Sequence, residues 1–119
     1  MISWDLIGLP YRWGAKPSEG ATDCFQLVCE ARRRLGLTDY TAEFAWVYET
    51  YTEETLPDRR IARWLLTKGT RTSTLEPGTI CLSTWRAMAS WTGTAFLFIA
   101  PGGQVCLTER LTGPLFTVP

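Results

Sequence analysis

The run Ala21-Thr22-Asp23-Cys24-Phe25-Gln26-Leu27-Val28-Cys29-Glu30-Ala31-Arg32-Arg33-Arg34-Leu35-Gly36 is the clearest structural signal in the chain. Cys24, Leu27, Val28, Ala31 and Leu35 follow helical spacing, while Glu30, Arg32, Arg33 and Arg34 fill the other face. Thr22 or Asp23 is placed to cap the helix, and Gly36 supplies its C-terminal stop. Cys24 therefore falls in the first turn, where unpaired backbone N–H groups and the positive end of the helix dipole favour thiolate over thiol. That is how a nucleophilic cysteine is often mounted. Cys29, deeper in the same helix, reads as packing.

Upstream, Ser3 to Leu9 ends at Pro10 and leaves room for about two helical turns at most. Tyr11 to Ala21 holds Gly14, Pro17 and Gly20 and reads as an ordered loop pinned by Tyr11 and Trp13. Downstream, Phe44, Val47, Tyr48 and Tyr51 predict a helix over roughly 42–51. Pro57, at a first helical position, opens another through Ile61, Trp64 and Leu65 to Gly69. Thr70 to Gly78 reads as a connector. After it the spacing changes to short runs rich in β-formers: Thr79 to Thr84, Thr94 to Ala100, Gln104 to Glu109 and Leu115 to Val118, with a hairpin signal at Pro101-Gly102-Gly103. Helices first and strands afterwards predict one α+β domain over 1–119, its helical half (about 1–69) packed on a small antiparallel sheet (about 78–119).

Composition narrows the functions open to such a domain. The chain has 119 residues, 45% of them hydrophobic, which suffices for a single core. Twelve basic and twelve acidic side chains leave no excess positive potential for a phosphate backbone, so nucleic acid is not an expected partner. There is no histidine, so no Ser-His-Asp, Cys-His or His-containing zinc site can be built from this chain alone. Cys24, Cys29, Cys81 and Cys106 form no C-x-x-C pair, and neither a metal nor any other cofactor is expected. Met1-Ile2-Ser3-Trp4-Asp5 has no basic or apolar leader character, and no apolar run approaches the ~20 residues of a bilayer span. The expectation is a soluble chain without a signal peptide, made in a reducing cytoplasm with free thiols and without membrane insertion.

Two stretches carry a family resemblance. Gly8-Leu9-Pro10-Tyr11-Arg12-Trp13-Gly14-Ala15 and Gly20-Ala21-Thr22-Asp23-Cys24-Phe25-Gln26-Leu27-Val28 resemble the entry motif of the NlpC-type cell-wall cysteine endopeptidases, a papain-like family. Glu76-Pro77-Gly78-Thr79 falls where that family has Pro-Gly-Asp, and Thr94-Ala95-Phe96-Leu97-Phe98-Ile99-Ala100-Pro101-Gly102 resembles its histidine-bearing strand and turn. In that family a cysteine attacks a peptide carbonyl after a histidine takes its proton, and a third polar residue orients the imidazole. Carried over, the resemblance implies that Cys24 is the nucleophile position, Thr94 the histidine position opposite it and Cys106 the orienting position. It also implies a remnant substrate groove at Tyr11, Asp23 and Phe25.

The departures matter as much. Threonine cannot accept a proton near neutral pH, and losing acid–base assistance costs roughly 10²–10⁴ in rate. Phe25-Gln26 replaces the family's small Ser-Gly pair and puts bulk where a substrate would approach. No carboxylate fills the gap, since Asp23 is suited to capping and Glu109 is expected on the opposite face of its strand from Cys106. Cys24 and Cys106 are left with a minor redox reading, should they meet across the site.

Of six tryptophans, most fall at core positions, but Trp85 and Trp91 flank a loop with Arg86 and form a candidate interaction surface. The resemblance implies a histidine-less pseudoenzyme, and compact domains of this kind resemble those of bacteriophage tail gene clusters. The expected role is a structural or assembly component of a tail tip or baseplate, found in the virion, with other tail proteins as partners and a possible peptidoglycan contact. The rivals are a cysteine peptidoglycan hydrolase whose base is unusual or supplied by a partner, and a wall-peptide binding module without turnover.

Overall fold

The computed structural model describes residues 4–57, 59–84, 87–100 and 102–119. A 3-10 turn at Trp4–Leu6 and another at Pro17–Glu19 precede three helices, α1 (Cys24–Arg34), α2 (Ala45–Thr50) and α3 (Arg60–Lys68). Six strands follow: β1 (Thr70–Thr72), β2 (Ile80–Thr84), β3 (Ala87–Trp91), β4 (Phe96–Phe98), β5 (Cys106–Thr108) and β6 (Leu115–Thr117). They form one antiparallel sheet in the order β1-β6-β2-β3-β4-β5. The α+β class expected from the sequence is the observed one.

α1 begins and ends as its residues dictate. Asp23 has extended backbone and accepts a hydrogen bond from Gln26 N, so it is the cap. At the other end Gly36 turns left-handed (φ 73°), while Gly36 N and Leu37 N donate back to Arg33 O and Arg32 O. This paired closure is the one glycine favours, because a Cβ resists that backbone angle. Leu27, Val28 and Ala31 of α1 meet Ile80, Met88, Leu97 and Phe116 of the sheet, with Leu6 and Leu65 completing the core. Period-two alternation sends Cys81, Ala89 and Phe96 to the reverse face, where Trp91, Phe98, Leu111 and Leu115 join them.

Several expectations are corrected. Thr70–Thr72, expected in a connector, is the edge strand β1, paired with β6. Ala87–Trp91, expected as an exposed loop, is the strand β3 with its first four residues buried. Ala, Met and Ser carry little β preference, and pairing on both sides, with β2 and β4, makes this segment a strand. α3 begins at Arg60, three residues after Pro57, whose carbonyl accepts from Arg60 N. Arg32 does not lie on a solvated face: it is 1% exposed. Its guanidinium donates from Nε to the Thr38 carbonyl and from Nη2 to the carbonyls of Val118 and Pro119 and stacks over Tyr40, and these partners replace part of the water it loses; Nη1 is buried with no acceptor among the described residues.

Candidate functional site

The site lies where the loop before α1 meets the segment spanning α2 and α3. The loop is tied to the sheet end by Gly8 N→Val105 O (2.9 Å) and Tyr11 N→Gly103 O (3.1 Å). It is tied to itself by Thr22 N→Pro10 O and Arg12 N→Thr22 O, both 3.0 Å. These bonds hold Tyr11 and Trp13 beside the start of α1.

Asp23 is the polar centre of this junction and is 2% exposed. One carboxylate oxygen takes the Gln26 amide; the other takes Gly14 N and the Tyr48 hydroxyl, all at 2.8 Å. Burial pushes its carboxyl upward, and the hydrogen bonds from Gln26, Gly14 and Tyr48 offset that only in part. These bonds make Asp23 the cap of α1 and the anchor of α2.

Cys24 is the first residue of α1 and is 6% exposed. Burial and, after it, the adjacent Asp23 charge push its thiol up to about 12, against smaller lowering by the backbone N–H groups of Met88 and Phe25. The expectation that a first-turn cysteine gains thiolate character is therefore overturned. A dipole contribution of the order of 1 kcal/mol is outweighed by loss of hydration around the anion. At neutral pH Cys24 is therefore held as the thiol.

The strand that reaches Cys24 is β3, through the Met88 amide. Thr94, expected opposite Cys24, is exposed in the turn between β3 and β4, where its amide lies 3.4 Å from Thr92 Oγ1. Cys106 is exposed on the edge strand β5, paired with Phe98. Neither Thr94 nor Cys106 lines the cavity that holds Cys24, and all four cysteines are unbridged. Of the proposed aromatic surface, Trp91 is half-buried in β3 with its ring 4.9 Å from that of Phe96, edge to face. Trp85 and Arg86 lie outside the described residues.

The cavity has a volume of about 60 Å³. Tyr11, Trp13, Phe25, Phe44, Tyr48 and Trp64 give it an aromatic wall, and Glu53, Leu56 and Arg60 contribute from the chain between α2 and α3. Tyr11 donates its phenol to Glu53; burial, followed by that bond, holds the phenol well above its ordinary value. Phe25, expected to obstruct a groove, packs against Phe44 (5.7 Å) and Trp64 (5.5 Å) and is part of this wall. Arg60 stacks outward on Trp46 (5.0 Å) and Tyr51 (5.5 Å) and donates Nη2 to Tyr51 Oη. Arg60 Nε and Trp64 Nε1 are buried with no acceptor among the described residues. Sequence reasoning missed Tyr48, Glu53 and Arg60 as site residues, since their contacts cross long stretches of chain without any spacing signature.

Among the described residues, no group of three or more His, Cys, Asp or Glu is arranged to hold a metal, and no helix is long and apolar enough to cross a membrane. Comparison with protein-family models, curated proteins and solved structures finds no match.

Proposed function

We propose that this chain is a catalytically inert papain-like domain of NlpC type, serving as a structural or assembly subunit of a bacteriophage tail tip or baseplate. The observation that carries the inert half of this reading is the state of Cys24: a buried thiol pushed up to about 12, in a chain with no histidine and beside a carboxylate already committed to three donors. Nucleophilic catalysis needs a thiolate and a group that returns a proton to the leaving amine. The Asp23 carboxylate beside Cys24 works against the first, because negative charge beside a thiol disfavours its ionisation.

The tail assignment rests on the resemblance of the Gly8–Ala15 and Gly20–Val28 motifs to the NlpC-type family, together with the likeness of compact NlpC-type domains to those of bacteriophage tail gene clusters. Incubation with peptidoglycan and with its stem peptides tests the inert half. Equal and negligible product from the wild type and from Cys24→Ser is expected; cleavage that Cys24→Ser abolishes would reinstate the hydrolase reading. Cross-linking mass spectrometry on intact particles tests the other half. Links to tail proteins are expected, and absence of the chain from purified particles overturns the assignment.

A further inference from the structure

We infer that the cavity beside Cys24 is a binding site for a quaternary ammonium group of the choline type, a role that needs the aromatic wall and not the thiol, and so stands apart from the inert reading. Six aromatic side chains line one small cavity, and two carboxylates, Asp23 and Glu53, lie in the same wall. Aromatic rings carry negative faces, and a cation surrounded by several of them is stabilised most when it is desolvated. Methylated ammonium is the cation suited to such a place, because it has no N–H groups whose hydrogen bonds would be lost on leaving water.

Size and charge agree with this assignment. The cavity, about 60 Å³, is several times the ~10–15 Å³ minimum for a single water, so it has room for more than one water-sized group. Arg60, the one cation of the wall among the described residues, does not oppose the ligand head-on. Its guanidinium carbon is held over Trp46 and Tyr51, two rings that are not part of the cavity wall. Its Nε is buried without an acceptor among the described residues, and a hydroxyl two carbons from the ammonium, as in choline, supplies an oxygen for it. No residue of α2 is buried, and the cover meets the body at the cavity through the Tyr48 hydroxyl on Asp23, the Tyr11 phenol on Glu53 and the Trp13–Tyr48 ring contact.

Calorimetric titration of the whole 119-residue chain tests the inference with three probes: choline, Nε-trimethyl-lysine, and 3,3-dimethylbutan-1-ol, the neutral isostere of choline. Choline should bind about tenfold more tightly than the isostere, since only the charge differs and charge is what rings and carboxylates read. Whichever of choline and trimethyl-lysine binds more tightly identifies the source of the group. Glu53→Gln, at a half-exposed position, should weaken choline severalfold and narrow its advantage over the isostere. Equal or tighter binding of the isostere would mean a merely apolar cavity and overturns the inference, as does failure of every probe to bind. Neither result bears on Cys24, whose inertness is read by the cleavage assay.

Discussion

The body formed by α1 and the sheet differs sharply from the cover formed by residues 44–60. Seven of the eleven residues of α1 are buried, whereas α2 has none among its six. The body is held by a shared apolar core; the cover reaches that core through Phe44, buries Leu56, and is otherwise held by individual contacts: Tyr48 to Asp23, Tyr11 to Glu53, Trp13 to Tyr48 at 4.9 Å, and the stack of Arg60 on Trp46 and Tyr51. Cys24 sits on the body side of the seam. Burial there pushes its thiol upward, and the contacts that bury it also give the seam its aromatic wall. A cysteine mounted in a first helical turn is thus no evidence of a nucleophile unless solvent or a partner charge reaches it.

The contrast is broken most directly by core truncation. Leu27→Ala in the body should cost about 2–5 kcal/mol in urea unfolding, while Val47→Ala in the cover should cost under about 1 kcal/mol. Equal costs would show that the cover belongs to the same packed core. Asp23→Ala comes next, at about 2–4 kcal/mol, because it removes the cap of α1 and leaves Gly14 N and the Tyr48 hydroxyl without their acceptor. Tyr48→Phe removes one bond to a buried carboxylate and should cost about 1–2 kcal/mol. Its particular signature is faster amide hydrogen exchange in α2 with exchange in α1 unchanged, and uniform acceleration in both helices would contradict separate stabilities.

The smallest expected effect is on pH dependence. The folded Cys24 thiol lies above its unfolded value, so the folded state keeps a proton that the unfolded state releases. Its contribution is fully present below about pH 9 and falls as pH rises towards about 12. Cys24→Ala should flatten that part of the alkaline stability curve once its cavity cost is subtracted. An unchanged slope would show that other groups dominate there.

How much of this was legible in the sequence follows from the range of the forces involved. α1 and its Gly36 stop are local, set by contacts a few residues apart, and they read correctly; the cap reads as Thr22 or Asp23, and the structure selects Asp23. β2, β4, β5 and β6 read approximately, because β-branched and aromatic residues mark them. β1 and β3 did not read as strands. Thr70-Arg71-Thr72 is too short to show alternation, and Ala87-Met88-Ala89-Ser90 owes its extended form to partners on either side. Arg32 was assigned to solvent because its three carbonyl partners include Val118 and Pro119, from the far end of the chain. The cysteine of the site was visible, but the carboxylate–phenol contacts that govern it were not: Tyr48 meets Asp23 across 25 residues with no repeat to announce it.

Site-resolved alkylation bears most directly on the central claim that Cys24 is an inert thiol. Iodoacetamide labelling of the native chain at pH 7.5, read by peptide mass spectrometry, compares Cys24 with the exposed Cys106 in one sample. Cys106 should label first, with Cys24 unmodified until the chain is unfolded in denaturant. Labelling of native Cys24 faster than Cys106 would reveal an accessible, activated thiolate and contradict the account.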